Sequence, residues 1–214
     1  MAQAVRSGPG RGTMFLADIS GYTAFLRAVA DAHAADMAAG TFVPKAYPVL
    51  GSLLDGIIER VAPPFVISKL EGDAVFGFAP EDELQLRGQS LLDCLAVCYE
   101  AYRSRLKEAR DLMTCTCNAC SSIADLDLKF VLHHGDYVLQ VIAGREELLG
   151  PDVTVAHLLM KNHVSDHIGR SAYALLTESA AVHLEVPLAH VLPIDERYEH
   201  YGTTRAYVLT LLFK

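Results

Sequence analysis

The chain has 214 residues, 51% of them hydrophobic and 21% charged, with a formal net charge of -8. A chain of this length can bury most of its unfolded surface in one core, and an acidic balance without clustered Lys and Arg excludes a general phosphate-tracking surface, so neither a nucleic-acid nor a membrane partner is expected. The odd count of five cysteines argues against a disulfide framework, and no apolar run is long enough to span a membrane.

Residues 1–12 are Gly-rich and lack the apolar segment of a signal peptide, which predicts a flexible N-terminal tail, a single domain over 13–214 and a cytoplasmic location. The first apolar run, Met14 to Ala17, stops at Asp18, and Ser20 and Gly21 then open a helical pattern. Asp18 is therefore expected to stand exposed at a strand-to-helix mouth. Two helices are expected over 21–60, with a break at 38–44. Two β-rich runs within 65–78 flank Leu-Glu-Gly-Asp, a tight hairpin in which Gly72 takes the unusual backbone angle and Asp73 sits at the tip. The acids at 81–83 are expected to begin a long helix, with Leu91, Leu95, Tyr99, Tyr102 and Leu106 as its buried stripe. A cysteine-bearing loop leads to strands near 126–133 and 137–143, a helix near 153–165, and β-rich segments at about 172–177 and 205–213. Helices in this order can all cover one face of an antiparallel-rich sheet, which predicts a ferredoxin-like α+β domain.

Two isolated aspartates at strand ends are sufficient in kind for a hard cation, because Mg²⁺ takes one or two carboxylates and keeps other positions for water and phosphate oxygens. The same residues also suit a helix cap at Asp18 and a turn at Asp73. Cys115, Cys117 and Cys120 place three thiols within six residues of a polar loop. A zinc or iron–sulfur centre there needs a fourth ligand from Cys94, Cys98, a histidine such as His133, or a partner chain. The alternative is that these thiols pack without metal. His133 reads as structural, as does His134, and His163 and His167 read as helix-end residues.

Four stretches carry a resemblance. They are Phe-Leu-Ala-Asp-Ile-Ser-Gly-Tyr-Thr at 15–23, Lys-Leu-Glu-Gly-Asp-Ala-Val-Phe at 69–76, the run ending His-His-Gly at 133–135, and Leu-Gly-Pro-Asp-Val-Thr-Val-Ala-His-Leu at 149–158. In this order they resemble the class III adenylate/guanylate cyclase domain over essentially the whole chain. The wording is closest to a bacterial family of unknown function, distantly related to those cyclases, with Asp-Ile-Ser-Gly-Tyr-Thr, Glu-Gly-Asp-Ala-Val-Phe and Cys-x-Cys-x-x-Cys.

The resemblance implies a nucleotidyl-cyclase-type fold and a homodimer in which each site is completed by the second subunit. It implies Mg²⁺ or Mn²⁺ held by Asp18 and Asp73, with the carbonyl of Ile19 as a further donor. Lys69 and Glu147 fall at or near the adenine-reading positions, which favours ATP as the nucleoside triphosphate, and Arg205 falls at a triphosphate contact. The departures are equally specific. The family's transition-state Asn and Arg are replaced by Thr154 and Leu158, and Asp136 replaces a basic residue. Losing one such preorganised donor costs about a hundred- to a thousand-fold in rate. Lys161, seven residues after Thr154 and hence on the same helix face, is the expected substitute cation. The expectation is a divergent cyclase-like protein that binds a nucleoside triphosphate with activity weak, altered or lost; a non-catalytic nucleotide- or metal-binding sensor is the alternative.

Overall fold

The computed structural model describes residues 7–40, 43–189 and 191–211. Its spine is strand β1 (Gly8–Ser20), and β2 (Val66–Glu71) and β3 (Ala74–Pro80) form the hairpin on one side of it. On the other side lie β4 (Asp127–Ile142), β6 (Tyr173–Thr177), β8 (Gly202–Thr210) and β7 (Leu192–Tyr198), while β5 (Arg145–Leu149) pairs with the far end of β4. Among the described strands every neighbour is antiparallel except the β4–β6 pair. The architecture is α+β with a mostly antiparallel central sheet.

The uninterrupted apolar run in β1 follows from burial on both faces. Phe15 and Ala17 point into the larger core, with Phe130, Leu132 and Leu176. Met14 and Leu16 point into the smaller one, with Phe76, Val131 and Leu175. Helices α1 (Tyr22–Ala32), α3 (Ala46–Val61) and α4 (Gly88–Asp111) cover the first face, and the short α2 (Ala34–Ala38) follows α1. The short α5 (Asn118–Ser121) and α8 (Glu178–His183) also pack on that face. The expected stripe of α4, from Leu91 to Leu106, is buried. Helices α6 (Pro151–Leu158) and α7 (Val164–Ile168) pack on the opposite face through Val153, Ala156 and Val164. The helices thus divide between the faces, because both sides of the central strands are apolar.

Four boundaries differ from expectation. The expected tail is strand from Gly8 onward, since Gly8–Gly12 pair with 135–139 of β4; residues 1–6 lie outside the described residues. The same pairing carries β4 straight through Gly135 and Asp136, where the sequence suggested two strands. The acids at 81–83 lie on a turn closed by the Glu83 and Leu84 N–H groups donating to the Pro80 carbonyl. The long helix begins only at Gly88, after the Arg87 N–H donates to Ser90 Oγ at 3.1 Å. The expected helix over 153–165 ends at Leu158 and continues as a 3-10 turn before α7. Strands β5 and β7 and helix α8 were not anticipated.

Gly135 is required by close approach. A Cβ there would overlap the Asp152 carboxylate, which accepts the Asp136 N–H at 2.7 Å and lies 3.4 Å from His133 Nε2. Next to it His134 is buried and stacked on His183 at 3.7 Å, with Thr13 Oγ1 at 3.3 Å from its Nδ1. Burial, His183 and the Arg11 guanidinium hold the His134 imidazole neutral down to about 4. Between the ordinary value near 6.5 and that point the unfolded chain binds a proton that the folded chain refuses. The contribution is complete above pH 6.5 and is lost as pH falls toward 4, by up to about 3 kcal/mol. Urea unfolding of the wild type should therefore weaken more steeply from pH 7 to 4.5 than that of His134→Gln; parallel pH profiles would contradict this assignment.

Candidate functional site

One end of the sheet gathers the hard donors. Asp18, at the C-terminal end of β1, pairs with Ala74 on one side and with Lys129 on the other. The Gly72–Asp73 turn closes the β2–β3 hairpin, with Gly72 at φ 66°, and the Ile19 N–H donates to the Asp73 carbonyl at 3.2 Å. The turn is thus pinned against β1. Asp18 is not exposed as expected: its side chain retains 14% of its accessible surface, and Lys129 Nζ lies 2.9 Å from its Oδ2. The Lys129 ammonium also donates to the Met160 carbonyl at 3.0 Å.

Burial, then the charge of Asp18, pushes the Asp73 carboxyl above its ordinary value, and Lys129 offsets part of this. Burial, then Asp73, likewise raises the Tyr22 hydroxyl at the start of α1. Two crowded carboxylates with a single ammonium beside them are the electrostatic condition that a divalent cation relieves. The residues therefore fit a hard cation, with Lys129 as the cation already built into the chain.

The adenine-reading positions implied by the resemblance also meet. Lys69 Nζ lies 3.3 Å from Glu147 Oε2 and 3.1 Å from Glu71 Oε1, and 5.8 Å from the centroid of the Phe76 ring. The contact exists because the β4–β5 hairpin curls over the smaller core, bringing Glu147 to β2. Burial alone would lower the Lys69 ammonium, but its two carboxylate partners outweigh that and raise it. His157 on α6 completes the group: its Nδ1 is 3.1 Å from Glu71 Oε2 and its ring packs on Phe76 at 4.7 Å. Burial keeps this imidazole below its ordinary value although Glu71 draws it upward. Glu71 and His157 were missed by sequence reasoning, although Glu71 lies inside the quoted hairpin wording. A cleft of about 650 Å³ borders the pair, lined by Val66, Phe78 and Arg145 among others.

Other expected residues do not join. Thr154 is exposed on α6 and its hydroxyl donates to the Gly150 carbonyl at 3.1 Å, while Leu158 offers no donor. Lys161 does not share a helical face with Thr154, because α6 ends at Leu158 and Lys161 sits exposed on the 3-10 turn. Arg205 pairs with Asp195 through two contacts at 2.8 and 2.9 Å. By register it lies one residue beyond Ala206, the partner of Thr177, whereas Lys129 is level with Tyr173. That places Arg205 roughly 17 Å along the strands from the Asp18 level, at about 3.3 Å per residue. Asp136 is at that remote end too, paired with Arg11 at 2.8 Å.

The cysteine loop finds its fourth donor in a residue far away in sequence. His33 Nε2 lies 3.7 Å from Cys115 Sγ, 3.5 Å from Cys117 Sγ and 3.4 Å from Cys120 Sγ. Of the residues proposed for this place, Cys98 is buried in the α4 stripe, and His133 faces Thr177 at 3.0 Å and Asp152. The Cys120 N–H donates to Cys117 Sγ and lowers that thiol, whereas burial raises Cys120.

The family described as "Protein of unknown function (DUF2652)" matches residues 50–168, a stretch that contains Asp73, Lys69, Glu147 and the three loop cysteines. The uncharacterized protein Rv2561/Rv2562 of Mycobacterium tuberculosis is 28% identical over 163 residues, covering 76% of this chain and 73% of its own. Among solved structures, the guanylyl cyclase Cya2 superposes with a TM-score of 0.64 at 12% identity, over 95% of this chain and 93% of that one. The adenylyl cyclase CyaB from P. aeruginosa superposes with a TM-score of 0.61 at 14% identity, over 95% and 96%. At such identities the likeness is one of fold, and the fold is that of cyclase domains. No helix among the described residues is long and apolar enough to cross a membrane.

The Asp18–Lys129 ion pair is partly buried and close, at 2.9 Å, so it should be energetically coupled. A double-mutant cycle of Asp18→Asn and Lys129→Met, read by urea unfolding, is expected to give a coupling of about 1–3 kcal/mol. Additive effects would contradict the pairing.

Proposed function

The chain belongs to the family of unknown function DUF2652, and for this member we propose a divergent nucleotidyl cyclase-like role: it binds a nucleoside triphosphate through Mg²⁺ or Mn²⁺, with cyclase activity weak, altered or lost. The observation that carries this reading is the convergence of Asp18 and Asp73 at one end of the sheet, where burial and their mutual charge already raise Asp73. Asp18, Asp73 and the carbonyl of Ile19 are the proposed ligands. A divalent ion on them supplies charge neutralisation and a bridge to phosphate oxygens. Lys69 and Glu147, held together on the same side of the sheet, offer a donor and an acceptor to the edge of a purine, which favours ATP.

The loss of efficiency follows from the side chains around the α6 helix. Thr154 spends its hydroxyl on the Gly150 carbonyl, Leu158 has no donor, and Arg205 is engaged by Asp195 at the other end of the sheet. Lys161 remains the proposed, exposed source of positive charge for the phosphates. The same shortage of donors favours the second reading, a non-catalytic nucleotide- or metal-binding sensor. A homodimer is supported by exposed apolar side chains on β2 and the β4–β5 hairpin, Val66, Val141, Ile142 and Leu149, which a second copy would cover. The cysteine loop is chemically separate, because its donors are soft where the aspartates are hard.

The test is calorimetric titration of ATP in the presence of Mn²⁺, with products read by mass spectrometry. Binding should weaken more than about tenfold, or about 1.4 kcal/mol, in both Asp18→Ala and Asp73→Ala. Turnover should fall at least about a hundredfold below the ~10 s⁻¹ typical of enzymes, given the missing donors. Unchanged binding in both variants would eliminate the site; bound ATP with no product at all would select the sensor.

A further inference from the structure

We propose that His33, Cys115, Cys117 and Cys120 form a closed, four-ligand structural zinc site that clamps the junction of α1 and α2 to the loop feeding β4. The inference is independent of the nucleotide reading, since it uses none of the same residues. Its first support is metric. The four candidate ligand atoms all lie within 4.8 Å of one another, and the three nitrogen-to-sulfur separations run from 3.4 to 3.7 Å. Tetrahedral zinc with Zn–S near 2.3 Å and Zn–N near 2.0–2.1 Å places nitrogen and sulfur about 3.5 Å apart.

The second support is valence. An imidazole nitrogen has one in-plane position, either a lone pair or an N–H, and cannot serve three sulfurs by hydrogen bonding. A cation at their common centre can. The third is local structure: Cys117 caps α5, and its sulfur accepts the Cys120 N–H at 3.4 Å, a bond that favours the thiolate a metal requires.

These features also select the metal and its role. Four ligand atoms this close surround a single ion and leave no room for a multi-iron cluster, and three sulfurs with one nitrogen are a soft set suited to zinc. With four protein ligands no coordination position is left open, so the ion is structural. His33 ends α1 and begins α2, and the helix break there lets its ring meet the cysteines. Cys120 is buried against the larger core, and Cys115 and Cys117 pack partly on it, so the ion would fasten a 3-10 and short-helix loop that has little secondary structure of its own. Because α1 begins directly after the β1 end that carries Asp18, the clamp also fixes the helix that forms one wall of that mouth.

The full chain, purified without added zinc, should carry about one zinc per polypeptide, consistent with four protein ligands to one ion. Replacement by Co²⁺ should give the ligand-field bands of tetrahedral cobalt together with a thiolate charge-transfer band. His33→Ala should weaken cobalt binding by at least about tenfold, since even residues behind metal ligands are worth 10- to 100-fold. His33→Cys should keep the metal and shift the bands toward a four-thiolate pattern, which preserves the test if His33→Ala does not fold. Zinc removal by a chelator should lower Tm, and zinc addition should restore it. Protein that takes up neither zinc nor cobalt, unaltered metal affinity in His33→Ala, or a brown protein containing iron and sulfide would each overturn the proposal.

Discussion

The antiparallel ladder between β1 and β4 is the constraint on which the other elements depend. It runs without interruption from Gly8 opposite Leu139 to Ser20 opposite Asp127. Side chains alternate along it, so Met14, Leu16 and Asp18 share one face and Phe15, Ala17 and Ile19 the other. A slip of one residue would exchange the two cores and turn Asp18 away from Lys129. The register is therefore held by apolar burial on both faces, and the polar residues at the ends of the ladder inherit their positions from it.

Those ends have different chemistry. At one, Asp18 meets Lys129 and the Gly72–Asp73 turn, a partly buried group in which one ammonium faces two carboxylates. At the other, His134 stacks on His183 near Glu81 with the Thr13 hydroxyl beside it, and Gly135 makes space for Asp152. The first keeps some exposure and an excess of negative charge, the arrangement that the proposed cation would neutralise. At the second, the His134 imidazole stays neutral at neutral pH because burial makes its imidazolium form costly. The Lys69–Glu147 pair lies on the Asp18 face because β5 folds back over it, so the curl of β4, more than the motif wording, brings the two together.

Local signals were read well from sequence. The Gly72 turn and the buried stripe of α4 each depend on a few neighbouring residues, and each is found where expected. Long-range features were harder. The continuity of β4 through Gly135 depends on partners at Gly8–Gly12, residues whose composition suggested a tail. His33 has no distinguishing sequence context; only the fold brings it to cysteines more than eighty residues away. Lys161 failed as a partner of Thr154 because the seven-residue rule holds only while the helix lasts, and α6 stops at Leu158. Arg205 failed because a match to a strand fixes neither its end nor its partner, and Asp195 lies directly opposite.

The β1 end and the β2–β3 turn together are the proposed hard-cation site. The most direct measurement is a crystal grown with Mn²⁺ and a non-hydrolysable nucleoside triphosphate, with an anomalous difference map recorded at the manganese edge. A peak is expected within coordination distance of the carboxylates of both Asp18 and Asp73, with Lys129 displaced from or sharing Asp18. Density for the nucleotide with no manganese at these two carboxylates, or manganese bound only elsewhere, would contradict it.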